Sequence, residues 1–204
     1  GGDFPSAGSP EYRVLSADDY YCPDEAEEDV PAIAWDKLYH KSLFDTLRYP
    51  VGKLHEDEFT TYLAVYRAGK VVVTREALYA YYQNPVGIML SRWTPRKLHI
   101  LEATENQIAF ARETGNLRLL KKAVRQYIYS TYEQIGFAKQ WDDPGRGRLL
   151  KILRKKLREG LRQGKDFDLF PLCRERSWMY EEAYPVKPFW WLYGKLHRGG
   201  ERQE

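Results

Sequence analysis

Between Arg48 and Phe59 the chain reads Arg-Tyr-Pro-Val-Gly-Lys-Leu-His-Glu-Asp-Glu-Phe. Three consecutive carboxylates, Glu56, Asp57 and Glu58, follow a Pro50/Gly52 turn and a histidine, His55. An apolar-periodic segment, Phe59, Tyr62, Leu63 and Tyr66, begins at once. Two readings suit this arrangement. Acids in the first turn of a helix are stabilised by the positive end of its dipole, whatever else they do. The other reading is that one of the three acids does chemistry. Spacing alone leaves both open.

Other reactive groups are sparse. Cys22 and Cys173 lie far apart without metal-ligand spacing. A reduced protein is the default reading, with a disulfide between them left open. His40, His99 and His197 have no partners at ligand spacing and read as surface or packing residues. Asp18-Asp19, behind a capping Ser16, reads as a solvated charge cluster rather than a metal site. There is no glycine-rich phosphate loop.

The elements that must position these groups are mostly helical. Leu38, Tyr39, Leu43 and Leu47 fall at helical spacing and predict a short helix from Trp35 to Leu47, ended by Pro50 and Gly52. A second helix is expected from about Asp57 to Arg67, stopping at Gly69. Lys70 to Thr74, with three successive valines, predicts a short buried strand, and Ala77 to Tyr82 a candidate second strand. Asn84 to Gly87 reads as a loop. Thr94-Pro95 is a helix start, with proline at the first helical position, and Gly115 a stop. Leu117 through Ile135 marks another helix, ending near Gly136. Leu149, Ile152, Leu153, Leu157 and Leu161 form the apolar stripe of a last one, bounded by Gly147 and Gly164. Residues 1–12, rich in Gly, Ser and Pro, read as extended or disordered. The expected architecture is an α-rich α+β fold, a helical bundle with a small strand component.

Sixteen tyrosines and six tryptophans support a packed core rather than a disordered chain. No stretch approaches the roughly 20 apolar residues of a membrane span, and no signal peptide opens the chain. The initial Gly-Gly, without methionine, suggests a piece of a longer protein. The net charge of +3 conceals an asymmetry. Asp18 to Asp29 is acidic, whereas Arg146 to Lys165 is dense in Lys and Arg, which implies mutual attraction or an anionic partner for the basic part.

Four segments together resemble bacterial family 2 glycosyltransferases. Trp35-Asp36-Lys37-Leu38-Tyr39 is similar to their Trp-Asn-Lys-Leu-Tyr element, and Arg48 through Phe59 to their proline, glycine, lysine, histidine, Glu-Asp segment. Leu78 through Met89 resembles the aromatic loop that follows, and Trp93 through Leu98 the start of their C-terminal helices. The segments arrive in family order over about residues 33–115. Asp36 replaces the family's asparagine, Gly87 its usual serine, and Tyr82 and Asn84 stand where many relatives carry arginines.

The resemblance implies the C-terminal part of an inverting glycosyltransferase of GT-A fold. On that basis residues 1–30 are a poorly ordered acidic lead-in, 31–92 the acceptor-side, base-bearing portion, and 93–204 a C-terminal helical region. Asp57 corresponds to the general base, with Glu56 and His55 orienting it or tuning its pKa. Trp35, Asp36, Lys37, Gln83 and Arg92 are candidates for acceptor or phosphate contact. Implied partners are a nucleotide-sugar donor and a glycan or lipid-linked acceptor in surface polysaccharide synthesis. Mg²⁺ or Mn²⁺ would be held by an Asp-x-Asp-type motif that this chain lacks. The roughly thirty turn-rich residues before Trp35 are too few for a βαβ nucleotide-binding half, so the isolated chain is expected to be inactive.

A second reading needs no catalysis. The basic helix and the aromatic segment Pro188 to Tyr193 would suit a non-catalytic module that docks an anionic membrane surface or a partner protein. Nucleic-acid binding lacks a recognisable module. The expected location is cytoplasmic, peripheral at the inner face of the cell membrane.

Overall fold

A computed structural model describes residues 12–23, 32–80, 82, 92–167 and 174–185. These form six α-helices and one two-stranded sheet, the α-rich α+β class expected. The chain divides into two compact units, residues 1–127 and 128–204. Among the described residues, no helix is long and apolar enough to cross a membrane.

The first unit is organised around helix α2, Glu56–Ala68. Phe59, Tyr62, Ala64 and Val65 recur at helical spacing and are buried. Gly69 ends the helix in the left-handed region at φ 70°, its N–H donating to Val65 O at 3.1 Å. Glycine adopts that φ without a Cβ clash, which is why the stop was readable. Strand β2, Lys70–Thr74, follows and pairs antiparallel with β1, Tyr12–Ser16, in the register Val14↔Val72.

Two expectations about this ribbon are corrected. The strand is not buried: Val72 is 64% and Val14 65% exposed, because two strands leave both faces largely to solvent. Its partner is not Ala77 to Tyr82, whose described residues are in no strand. Residues 12–21, within the lead-in expected to be poorly ordered, form β1 and helix α1, Ala17–Tyr21. Ser16 caps α1 as expected, accepting the Asp19 N–H at 3.1 Å.

The expected helix from Trp35 to Leu47 does not form. Only one 3₁₀ turn, Lys41–Phe44, appears there, and Leu38 is fully exposed. Local polar contacts compete with the helix. His40 Nδ1 and Ser42 Oγ share a 2.7 Å hydrogen bond, and Arg48 donates to Leu47 O at 2.7 Å and to Phe44 O. The apolar residues satisfy one another instead, as Phe44 packs edge-on to Tyr39 and stacks on Tyr49.

Helix α3, His99–Glu113, starts from Thr94-Pro95 through a 3₁₀ turn, Pro95–Leu98. It ends in a Schellman motif: Gly115 sits at φ 68°, and the Asn116 N–H reaches Ala111 O at 2.8 Å. The Asn116 side chain then accepts the Leu119 N–H at 2.9 Å, opening α4, Leu117–Lys139. Tyr21, Tyr62, Tyr66 and Phe110 form an aromatic core between α1, α2 and α3. Asp18 is consumed in this packing, accepting from Tyr66 Oη at 2.7 Å and Asn116 Nδ2 at 2.6 Å. Arg118 donates to Asp19 at 2.8 Å and to Cys22 O at 2.7 Å, and Lys122 to Tyr21 O at 2.6 Å. Cys22 is buried, its Sγ 3.6 Å from Tyr66 Oη.

The second unit holds the end of α4, α5 (Arg146–Lys165) and α6 (Arg174–Ala183). Leu153, Leu157 and Leu161 of the expected stripe are buried, with Ile135, Ala138, Met179 and Ala183. Ile152 is not part of the core, at 46% exposed. Gly147 and Gly164 lie inside α5 rather than bounding it. One interior glycine costs a helix only about 1 kcal/mol, which burial of the leucines outweighs. Arg154 donates from Nε and Nη2 to Glu182 Oε1 at 3.1 and 2.9 Å, and Arg158 to Ala183 O at 2.7 Å, securing α6. The loop Asn84–Gly87, Gln83, His197, Cys173 and the segment Pro188–Tyr193 lie outside the described residues.

Candidate active site

The acidic triplet forms the first turn of α2, and the turn before it is held from α3. Gly52, at φ 77°, reverses the chain, and its carbonyl accepts from Arg96 Nη2 at 3.1 Å. Lys53 pairs with Glu102 at 2.5 Å. The Leu54 N–H donates to His99 Nδ1 at 3.0 Å, which fixes the neutral ring with its proton on Nε2. His55 then sits in the left-handed region, φ 58° and ψ 40°, alone among the described non-glycine residues. That conformation costs an ordinary residue about 1–2 kcal/mol and persists here between anchored Leu54 and the first turn of α2.

Three adjacent acids end in three environments. Glu56 is exposed. Glu58 turns inward, where Gln107 Nε2 donates to its carboxylate at 3.0 Å and to its carbonyl at 2.9 Å. Asp57 lies between them, half-buried, with one carboxylate oxygen accepting the Glu58 N–H at 2.9 Å. Burial pushes the Asp57 pKa above the usual carboxylate value, the Glu58 N–H opposes this, and the Glu56 charge adds to it. Burial raises Glu58 as well, against hydrogen bonds from Gln107 and Gln126 that lower it. His55 moves the other way: burial holds it below its ordinary value, although Asp57 and Glu56 pull it up. The turn therefore carries a carboxylate made more basic by burial beside an imidazole made less basic by it.

A second group gathers at Trp35. Its indole stacks on Tyr79 with centroids 4.7 Å apart and 30° between planes, and both rings remain about half exposed. Lys37 donates to Ile33 O at 2.7 Å and to Asp36 Oδ1 at 2.5 Å, so its ammonium braces this turn from within. Arg92 is exposed, outside any helix or strand and two residues before Thr94.

Tyr79, Gln107 and His99 are the contributors that sequence reasoning missed. His99 reads as a surface or packing residue and Gln107 stands in no motif; neither carries a signal pointing to residues 54 or 58. Among the described residues, no three His, Cys, Asp or Glu side chains converge to hold a metal ion. Asp18 and Asp19 are engaged by Tyr66, Asn116, Ser16 and Arg118, so this donor set does not fit a divalent cation.

The chain is 34% identical over 83 residues to Glycosyltransferase GlyA of Streptococcus pneumoniae serotype 4. The match covers 40% of this chain and 12% of that protein, so the chain matches only a small part of the relative's length. No family model matches the chain. No solved structure matches it either.

Proposed function

We propose that this chain is the acceptor-side, base-bearing part of an inverting family 2 glycosyltransferase of GT-A type, with Asp57 as its general base. The observation that carries the proposal is the sorting of the triplet: Asp57 and Glu58 both gain basicity by burial, but the Glu58 carboxylate is taken by Gln107 and Gln126, whereas that of Asp57 accepts only backbone N–H groups among the described residues. The local identity to a protein named glycosyltransferase supports the same class.

The chemistry asked of Asp57 is modest. An acceptor hydroxyl attacks the anomeric carbon of the donor sugar as the nucleoside diphosphate leaves from the opposite side. The hydroxyl proton passes to an Asp57 carboxylate oxygen as the new C–O bond forms, and one displacement inverts the centre. Burial makes the carboxylate a better base than one in water, and Glu56 adds a like charge. His55 works against this rise, and the burial that lowers its own proton affinity limits how far.

The stacked Trp35–Tyr79 pair presents flat, half-exposed aromatic surface suited to an acceptor. The Asp36–Lys37 pair holds that turn, and exposed Arg92 is assigned to donor phosphate. Donor nucleotide and Mg²⁺ or Mn²⁺ would be bound by residues other than those described. The reading also assigns the whole enzyme to surface polysaccharide synthesis.

The test is Asp57→Asn in the longer protein, assayed for sugar transfer from nucleotide-sugars. Turnover should fall by about a hundredfold or more, the usual share of a general base, with thermal unfolding no lower than wild type, since burial disfavours the charge that the variant removes. Wild-type turnover would overturn the assignment.

A further inference from the structure

Helix α5 carries nine Lys and Arg residues in twenty positions, with Glu159 as its one acid. The fold employs four of them. Arg154 and Arg158 hold α6, Arg146 donates to Trp141 O at 3.5 Å, and Lys156 is engaged by a partner of its own. Arg148, Lys151, Lys155, Arg162 and Lys165 are left on the exposed side. They follow at three-, four-, seven- and three-residue steps, so they share one face over about 25 Å of helix. Among the described residues only Lys155 of the five makes an ion pair, with Glu159 at 3.9 Å, and that exposed pair is worth little.

This stripe works against the helix that bears it. Lys151 and Lys155 are like charges at i,i+4, and Arg148 with Lys151 and Arg162 with Lys165 at i,i+3, each pair destabilising an isolated helix. Buried Leu153, Leu157 and Leu161 hold the helix regardless. A surface that the fold leaves charged and uncompensated is complementary to an anionic one. Ile152, 46% exposed, is four residues from Arg148 and three from Lys155, at the margin of the stripe. A lipid headgroup layer accepts an apolar side chain among cations, whereas a nucleic-acid backbone rewards only the cations.

We propose that the α5 stripe of Arg148, Lys151, Lys155, Arg162 and Lys165 is a docking surface for an anionic lipid bilayer. The proposal is independent of the Asp57 assignment. Contact is peripheral and electrostatic, because the apolar face of α5 is already used in the core. It should therefore fade as salt shortens the screening length, about 10 Å at 0.1 M.

The experiment is co-sedimentation of the full chain with vesicles of phosphatidylcholine alone or containing one third phosphatidylglycerol. The wild-type chain should bind the anionic vesicles, at least tenfold less at 0.5 M than at 0.05 M salt, and should not bind phosphatidylcholine. Lys151→Glu with Arg162→Glu should lose binding at least tenfold, yet unfold at an equal or higher temperature because self-repulsion is relieved. Lys41→Glu with Arg75→Glu gives the same net charge elsewhere and should bind like wild type. The proposal fails if this control loses as much, if phosphatidylcholine binds equally, or if a duplex oligonucleotide binds while anionic vesicles do not. It also fails if the stripe variant unfolds below wild type and still binds.

Discussion

The first turn of α2 and the exposed side of α5 each crowd charges of one sign, and the fold treats the two oppositely. In α2 it separates three sequence neighbours: Glu56 to solvent, Glu58 to Gln107, and Asp57 to a half-buried position with raised proton affinity. In α5 it withdraws some cations into packing against α6 and leaves the rest as an unresolved stripe. Sorting like charges makes individuals with separate chemistry, which suits a reaction; leaving them alike makes a field, which suits a surface. A run of charge in a sequence does not announce which of these it will become.

The comparison breaks most visibly at the acids. Asp57→Asn should cost about 10²-fold or more in transfer by the longer protein, while Glu56→Gln should stay within about tenfold, since exposed Glu56 acts only through its charge. Equal losses would mean that the triplet acts as a block after all. The pH profile sharpens the point. Because burial raises the Asp57 pKa, the acidic limb of kcat/KM should lie above the ordinary carboxylate range, and removing Glu56 should move it down.

Next in size is the paired set in α5. Glu182→Ala leaves the Arg154 guanidinium partly buried without its acceptor, a cost of about 1–3 kcal/mol. Arg148→Ala, on the free face, should change stability by less than about 0.5 kcal/mol. Urea unfolding of both variants decides whether the two sets differ as described.

Smaller again is Glu58→Gln. The folded-state pKa of Glu58 is raised, so the native protein holds more protons than the unfolded chain between the two values. Stability therefore falls as pH rises through that window, and the desolvation cost is fully present above the folded pKa. The glutamine variant should melt higher than wild type at pH 7, and the difference should shrink as pH drops below the ordinary Glu value. A constant difference from pH 7 to pH 4 would contradict a burial origin. Smallest is His55→Gly, which removes the left-handed penalty but loosens the unfolded chain. Its melting temperature should match wild type or rise slightly, by less than about 1 kcal/mol of stability.

What was legible in the sequence follows physical locality. The α2 start, the Gly69 and Gly115 stops, Thr94-Pro95 and the long α4 and α5 periodicities are written within a turn or two of where they act. The Trp35 segment misled because Leu38, Tyr39, Leu43 and Leu47 mimic a helical period, while Arg48 and His40 satisfy that backbone and its neighbours otherwise. The strand Val71–Val73 was readable and its partner was not, because β1 precedes it by more than fifty residues. The candidate site divides the same way. Asp57 stood out through its neighbours in sequence, whereas Tyr79 and His99, and Gln107 under Glu58, act through space.

Asp18 carries a consequence for how the protein is made. Its carboxylate takes one bond from Tyr66, 48 residues on, and another from Asn116, 98 residues on. During synthesis it must wait through most of the first unit for its second donor. Until Asn116 emerges, α1 has no Arg118 or Lys122 to secure it, and the faces of Tyr62 and Tyr66 that it covers stay open. Within this chain α1 is thus made before the residues that secure it, and closing the first unit is a non-local step of the kind that sets folding rates.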